Sequence, residues 1–422
     1  MKNFASRTRF SPLSGAALAA ACLAAWAPDV PAAESLTEAL TGGKISGQLR
    51  YRYERVDEQG FAQKAEASTL RTQLGYATGD WKGLGAFVQF EDVRAIGSER
   101  YNSTVNGLTQ YPVVADPEDT EVNQAYLSFK GLGTTFKYGR QVITYDNHRF
   151  IGDVGWRQNQ QTYDAFSLAN TSLPDTTISF AHVDNVNRIF SEKHPTLGDV
   201  RLNGEFLNIA YKGFKPGALV GYGYFLDYEP GQPFPVTASH KTLGLRFDGA
   251  TPVGGQKLLY TAEYAKQDAY KDGTPTVDAD YAFGMLGVEL AGVQLKLNYE
   301  LLSGNGVYAL QTPFATLHAF NGWADKFLTT PADGLRDVFV SVGASPGGVN
   351  LAAVYHRYTS DNLDYDYGRE WNLLVSKKLT KALDVLAKYA DYEGDTNAAN
   401  VARNPALARN VTKFWLQAEV KF

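Results

Sequence analysis

The stretch Thr412-Lys413-Phe414-Trp415-Leu416-Gln417-Ala418-Glu419-Val420-Lys421-Phe422 alternates apolar and polar residues and ends on a phenylalanine. An extended strand points successive side chains to opposite faces. One face here is Phe414, Leu416, Ala418, Val420 and Phe422; the other carries Lys413, Gln417, Glu419 and Lys421. Such a strand fits between lipid and a wet interior, as the closing strand of a transmembrane β-barrel does. A soluble half-buried strand can also alternate, so the rest of the chain has to decide.

The other end agrees. Residues 1–33 begin with Lys2, Arg7 and Arg9, pass through an apolar stretch from Leu13 to Ala27, and reach Val30-Pro31-Ala32-Ala33. This pattern predicts a secretory signal peptide cleaved after Ala32, followed by a single unit over 33–422. The apolar stretch is shorter than the ~20 residues of a spanning helix, and no later segment approaches that length. Cys22, the one cysteine, lies inside it, and Ala19-Ala20-Ala21-Cys22 is a poor lipoprotein cleavage site. A chain cleaved after Ala32 has no disulfide or thiolate metal site. Losing Lys2, Arg7, Arg9 and Asp29 moves the formal charge from −5 to −7, an acidic balance that argues against a nucleic-acid partner.

Composition conceals the membrane. Hydrophobic content of 44% and a mean hydropathy of −0.28 resemble a soluble protein, because a barrel strand needs only every second residue apolar. The 40 glycines, 25 tyrosines and 23 phenylalanines suit many strands and turns with aromatic girdles, although a secreted sandwich or propeller would share some of this.

Alternation and turn signals predict strands near 45–55, 67–78, 84–94, 121–130, 134–142, 163–170, 176–190, 205–212 and 218–228. The second half gives 240–249, 256–267, 279–290, 293–303, 335–344, 349–359, 369–379, 382–392 and 410–422. The connections alternate in length. Short ones include Gly131-Leu132-Gly133, Ala291-Gly292 and Thr380-Lys381; long ones include 95–120, 143–162, 191–204, 304–334 and 393–409. The expected fold is an all-β, antiparallel up-and-down barrel of about eighteen strands, sixteen being the alternative. Short turns face the periplasm and long loops face outward, in the outer membrane of a Gram-negative bacterium.

Face assignment is clearest over 293–303, where Val293, Leu295, Leu297, Tyr299 and Leu301 meet lipid while Gln294, Lys296, Asn298 and Glu300 face the lumen. Inward polar residues at this density imply water, since a charge in a dry interior costs several kcal/mol unless paired. Inward Arg50, Arg52 and Arg71 fall on the first two strands. They form either a positive wall that selects polar or anionic solutes or a belt of ion pairs that stabilises the barrel. Loop 143–162, with His148, Arg149, Trp156, Arg157 and several amides, suits stacking on sugar rings and hydrogen bonding to hydroxyls or carboxylates. It is expected to fold inward, and 304–334, with Phe314, His318, Trp323, Asp325 and Lys326, to form a second lid.

The runs Gly139-Arg140-Gln141-Val142-Ile143-Thr144-Tyr145-Asp146-Asn147-His148-Arg149-Phe150-Ile151-Gly152 and Trp156-Arg157-Gln158-Asn159-Gln160-Gln161-Thr162-Tyr163-Asp164-Ala165 resemble the alginate-export family of outer-membrane porins. So do His318-Ala319-Phe320-Asn321-Gly322-Trp323-Ala324-Asp325-Lys326-Phe327 and the opening Arg50-Tyr51-Arg52-Tyr53-Glu54. The resemblance implies an eighteen-stranded monomeric channel with an arginine-rich constriction for a polyanionic sugar. It also implies lumenal roles for Arg50, Arg52, Arg71, Arg140, Arg149 and Arg157. The family's alginate exporter carries a long periplasmic turn late in the chain that plugs its pore; the equivalent connection here is Thr380-Lys381.

The expected function is a channel for polar or anionic solutes, an anionic carbohydrate such as alginate or its oligomers foremost. The alternative is a general diffusion porin importing small organic acids or oligosaccharides. The candidate pore-lining set is Arg50, Arg52, Arg71, Arg140, Arg149, Arg157, Lys296 and Glu300, with His148 and Trp156 on the constriction loop. No cofactor is expected. Expected partners are membrane lipid, lipopolysaccharide and the solute, with periplasmic secretion partners a further option. An outer-membrane enzyme is the remote rival, because His148, His182, His194, His240, His318 and His356 lack a nucleophile motif beside them. Asp361, Asp364, Asp366 and Glu370 give an incomplete calcium-loop spacing and suit a solvated acidic loop.

Overall fold

The computed structural model describes residues 32–422, so the expected signal peptide lies outside the described residues apart from Ala32. After a short helix, α1 (Leu36–Thr41), capped by the Ser35 side chain, the chain forms eighteen strands. They are β1 Lys44–Glu58, β2 Ala65–Ala77, β3 Leu84–Ala95, β4 Asp119–Gly131, β5 Thr134–Gln141, β6 Thr162–Asn170, β7 Thr176–Asn187, β8 Asp199–Tyr211 and β9 Gly217–Tyr228. The series continues with β10 His240–Val253, β11 Gln256–Ala269, β12 Asp278–Leu290, β13 Val293–Leu302, β14 Leu335–Ala344, β15 Val349–Thr359, β16 Asp366–Lys378, β17 Leu383–Gly394 and β18 Val411–Lys421. Each strand pairs antiparallel with the next, and β1 pairs with β18, so the sheet closes on itself. Closure leaves no unpaired edge, the condition for crossing a bilayer with strands. Of the two strand numbers open from sequence, eighteen is the one found.

Strand β13 carries the expected alternation: Leu295, Leu297 and Tyr299 are exposed on the outside, and Lys296, Asn298 and Glu300 are buried inside. Leu49 and Tyr51 on β1, Leu243 and Leu245 on β10, and Leu373 and Val375 on β16 extend the apolar outer face around the wall. Toward the loop ends this face gives way to charge, with Arg94 beside Asp92, Lys266 beside Asp280 and Arg369 beside Glu393. The change marks where lipid tails end and polar headgroups begin.

Two-residue hairpins close the periplasmic ends at Leu132-Gly133 and Ala291-Gly292, with positive φ at all four positions. That matches the right-handed twist of the flanking strands. The longer outer loops behave differently. Segments 142–161 and 303–334 fold into the barrel and meet each other, with Ile151 bridged to Phe314 and Gly152 N–H donating to the Phe314 carbonyl at 2.8 Å. Phe150, Phe314, Tyr163, Phe206, Tyr222, Tyr224 and Tyr281 pack into an aromatic core that holds them there. Loop 395–410 carries a second short helix, α2 (Ala398–Arg403), whose Arg403 pairs with Asp333 of the second infolded loop.

Candidate constriction

The interior chemistry begins with the seam where the barrel closes. Register sets Arg50 of β1 opposite Glu419 of β18 on one side and opposite Arg71 of β2 on the other. Two like charges across a strand pair repel unless compensated. Arg50 Nε donates to Glu419 at 2.6 Å, and an Arg71 amino group lies 3.9 Å from Glu91 of β3. None of the three guanidinium groups on β1 and β2 faces open water: Arg50, Arg52 and Arg71 are only 1–2% exposed. The infolded first loop covers them. Arg50 donates to the Gly155 carbonyl at 2.8 Å, Arg71 to the Gln158 carbonyl at 3.4 Å, and Gln158 returns a bond to Thr69 Oγ1 at 2.8 Å.

The loop supplies its own arginines to the wall. Arg157 pairs with Glu54 of β1 and stands 3.6 Å from Asp116 of loop 96–118. Burial works against its charge, but the Asp116 and Glu54 carboxylates more than offset this and hold the guanidinium above its ordinary value. Arg149 donates to Glu300 of β13 at 2.7 Å, to Thr312 at 3.1 Å and to Asn321 at 3.2 Å. Its guanidinium thereby ties both infolded loops to one strand.

Where the loops meet the β1–β18 seam, a buried cage forms. Lys388 of β17 places its ammonium 3.8 Å from the ring centre of Trp323 and 4.0 Å from that of Trp156, with Trp415 of β18 at 5.6 Å. The same ammonium donates to His318 Nε2 at 2.7 Å. A lysine ammonium only donates, so His318 carries its proton on Nδ1 and gives it to Asp325 at 2.7 Å. Burial pushes the His318 imidazole well below its ordinary value, and Lys388 adds to the effect. Asp325 is buried as well, but His318 and Lys413 hold its carboxyl far below the ordinary range. Trp156 is used on several sides: Arg52 lies 4.0 Å over it, His318 stacks at 4.3 Å and 5°, and Trp415 meets it edge-on at 5.8 Å.

The expected site residues therefore fall into different places. Arg50, Arg52, Arg71, Arg149 and Arg157 all turn inward, and loops 142–161 and 303–334 bring them together as anchors rather than as an open wall. The geometry is that of the ion-pair belt, because Glu419, Glu91, Glu300 and Glu54 neutralise four of the five. Arg52 is the exception, bonded to Gln417 and stacked on Trp156. Trp156 lies on the infolded loop as expected, but its ring is engaged by protein and is not free to stack on a sugar. His148 packs within the loops, 3.4 Å from Thr316 Oγ1 and 3.6 Å from Asp153. Glu300 belongs with Arg149. Lys296 is 4% exposed, and its ammonium makes no hydrogen bond among the described residues.

Arg140 is a correction. Across β4–β5 it registers with Ala125, and it shares parity with Tyr138, which is 69% exposed on the outer face. Its guanidinium binds Asp164 at 3.0 Å and approaches Glu192 of an outer loop. It therefore belongs to the external charged collar and not to the lumen. The alternation Phe136, Tyr138, Arg140 already held that signal. Lys388 and Trp415 were missed as partners; a tryptophan at Trp415, sharing parity with Lys413 and Gln417, was the clue that this stretch of wall is dry. Among the acidic residues of 361–370, Asp361 and Asp364 both pair with Arg336 and Asp366 pairs with Arg357. No group of three or more metal-ligating side chains assembles among the described residues.

A closed eighteen-stranded barrel with an apolar belt, a polar interior and infolded outer loops defines an outer-membrane channel of the porin type, in the outer membrane of a Gram-negative bacterium. The chain belongs to the alginate export family, whose model matches residues 43–321. Among solved structures it is similar to OccAB4 of Acinetobacter baumannii, with 13% identity, 90% of this chain and 98% of that one covered, and a TM-score of 0.68. It is likewise similar to OccD3 (OpdP) of Pseudomonas aeruginosa, with 14% identity, 92% of each chain covered and a TM-score of 0.68. OpdK of Pseudomonas aeruginosa, solved with vanillate, is similar at 12% identity, with 91% of this chain and 99% of that one covered and a TM-score of 0.68. At these identities the likeness is one of fold. None of the curated proteins compared with the chain matches it.

Proposed function

We propose that the channel passes anionic or polar hydroxylated solutes down their gradient, an anionic carbohydrate such as alginate or its oligomers foremost, and catalyses no reaction. The observation that carries this is the pair of cations, Arg52 and Lys388, at the junction of the two infolded loops. Both lie over Trp156 at 4.0 Å, and neither has a carboxylate in hydrogen-bond contact. Every other constriction arginine is paired with a carboxylate, so these two are the cations at the loop junction without a direct carboxylate partner. Membership of the alginate export family supports the same class of solute.

A second reading is import of small organic acids through a general pore. The near-neutral belt favours it, as does the vanillate bound to OpdK. The test is the reversal potential of the purified protein in a planar bilayer under a salt gradient, followed by uronate oligomers as blockers. Anion preference with block supports the proposal; cation preference or no block leaves the general porin.

A further inference from the structure

On the periplasmic side of the constriction, one wall carries a row of amides. Gln48 lies two residues before Arg50 on β1, and Gln73 two residues beyond Arg71 on β2, directly opposite Gln48. Gln89 of β3 and Gln124 of β4 pair opposite each other. All four share inward parity, and Gln48, Gln89 and Gln124 are half-buried where Gln73 is buried.

The orientation of Gln48 and Gln124 is fixed by groups that can only donate. Arg71 donates to Gln48 Oε1 at 2.6 Å, so the amino group of Gln48 is the free end. The Val142 backbone N–H donates to Gln124 Oε1 at 3.2 Å, which turns the Gln124 amino group toward Gln89 Oε1 at 3.0 Å. Asn123 donates to that same oxygen at 2.8 Å. The carbonyl oxygens of Gln48, Gln89 and Gln124 are therefore all spent on the wall. Among the described residues, the amino groups of Gln48 and Gln89 make no hydrogen bond, and that of Gln124 makes one with its two hydrogens. An amide row would ordinarily offer donors and acceptors equally; here the three half-buried members offer donors, while buried Gln73 spends its amino group on Glu91 and Gln160.

The geometry points to a binding strip on the periplasmic side of the constriction, in which the amide N–H groups of Gln48, Gln89 and Gln124 hold the acceptor oxygens of a saccharide. This rests on the channel reading above and names the hydroxylated ligand for it. Hydroxyl, ring and carboxylate oxygens all accept, so the strip serves neutral and anionic sugars alike. Uncharged donors hold an oxygen less tightly than a guanidinium does, which suits a solute that has to move on. The anchoring of Gln124 by Val142, the first residue of the infolded loop, joins the strip to the constriction above it.

The test uses the full chain in planar bilayers, with maltohexaose as a neutral probe and a hexameric uronate as a charged one. The triple variant Gln48→Leu, Gln89→Leu, Gln124→Leu keeps side-chain volume and removes the donors. At about one neutral hydrogen bond lost per site, maltohexaose affinity is expected to fall about tenfold or more, and uronate affinity by less because Arg52 and Lys388 remain. Equal maltohexaose block of wild type and variant, or a conducting wild type that no neutral sugar blocks, overturns the strip while leaving the channel intact. A wild type that passes no ion current overturns the channel reading itself. Should the triple variant fail to assemble, Gln89→Glu exchanges one donor group for acceptors at constant shape. It is expected to weaken maltohexaose block by about threefold or more, and unchanged block overturns the proposal.

Discussion

Replacing Trp156 by alanine removes the ring on which the cage is built, and its cost follows from the contacts. Two cations stand 4.0 Å from the ring, His318 stacks at 4.3 Å and Trp415 meets it edge-on at 5.8 Å. Desolvated cation–π contacts are worth about 1–2 kcal/mol each and aromatic pairs about 0.5–1.5 kcal/mol, giving roughly 3–7 kcal/mol. The usual ~3–5 kcal/mol for a buried Trp→Ala change falls within that range. The barrel ladder does not depend on Trp156, so the loss falls on loop docking. A shift of about 4 kcal/mol changes the docking equilibrium about a thousandfold. Single-channel recording of W156A should show a larger and noisier open current than wild type. Heat-modifiable gel migration should still report a closed barrel. A W156A channel with the quiet current and conductance of wild type would refute the idea that this cage holds the loops.

Acidification should loosen the same junction. Burial lowers the affinity of docked His318 for a proton, so an undocked loop gains protons preferentially once pH falls below 6.5, and docking weakens from there by about 1.4 kcal/mol per pH unit. Asp325 adds a second loss below 3.8 as its carboxylate is protonated. Current noise at pH 5 should exceed that at pH 7.5, and identical traces would contradict the assignment. Arg149→Met leaves Glu300 buried without its cation, at a cost of about 3–5 kcal/mol, and adding Glu300→Gln should recover part of it in urea-dependent loop proteolysis. Arg52→Glu should move the reversal potential toward cations, while Arg140→Glu, on the outer face, should leave it where it was; a shift with Arg140→Glu would return that residue to the lumen.

The strands were readable because a barrel wall obeys period two with little interference from tertiary contacts: β14 and β15 run over the residues expected, and the other strands differ by a few residues at their ends. The largest extension, β8 beginning at Asp199, alternates in the opposite sense to the lipid-facing wall: Val200 and Leu202 are buried inside, while Arg201 and Asn203 are exposed outside. The constriction was only half legible. Alternation identifies Arg50, Arg52 and Arg71 as inward, but not whether an inward side chain meets water or a folded loop. That depends on where segments 142–161 and 303–334 settle, and their contacts span more than 150 residues, as from Arg149 to Glu300 and Asn321. Arg140 shows the reverse failure: a family likeness placed it inside although its own strand parity placed it outside.

The ion pair between Arg50 and Glu419 joins the first strand to the last. Arg50 is also one of the side chains that grip the backbone of the infolded loop, at Gly155. A barrel whose seam is still open has no Glu419 beside Arg50 and no Trp415 beside Trp156, so its loop lacks the surface it docks on. Narrowing of the pore is thus a late event in biogenesis: the molecule becomes selective only when it becomes a cylinder, and an assembly factor that delays closure also delays selectivity.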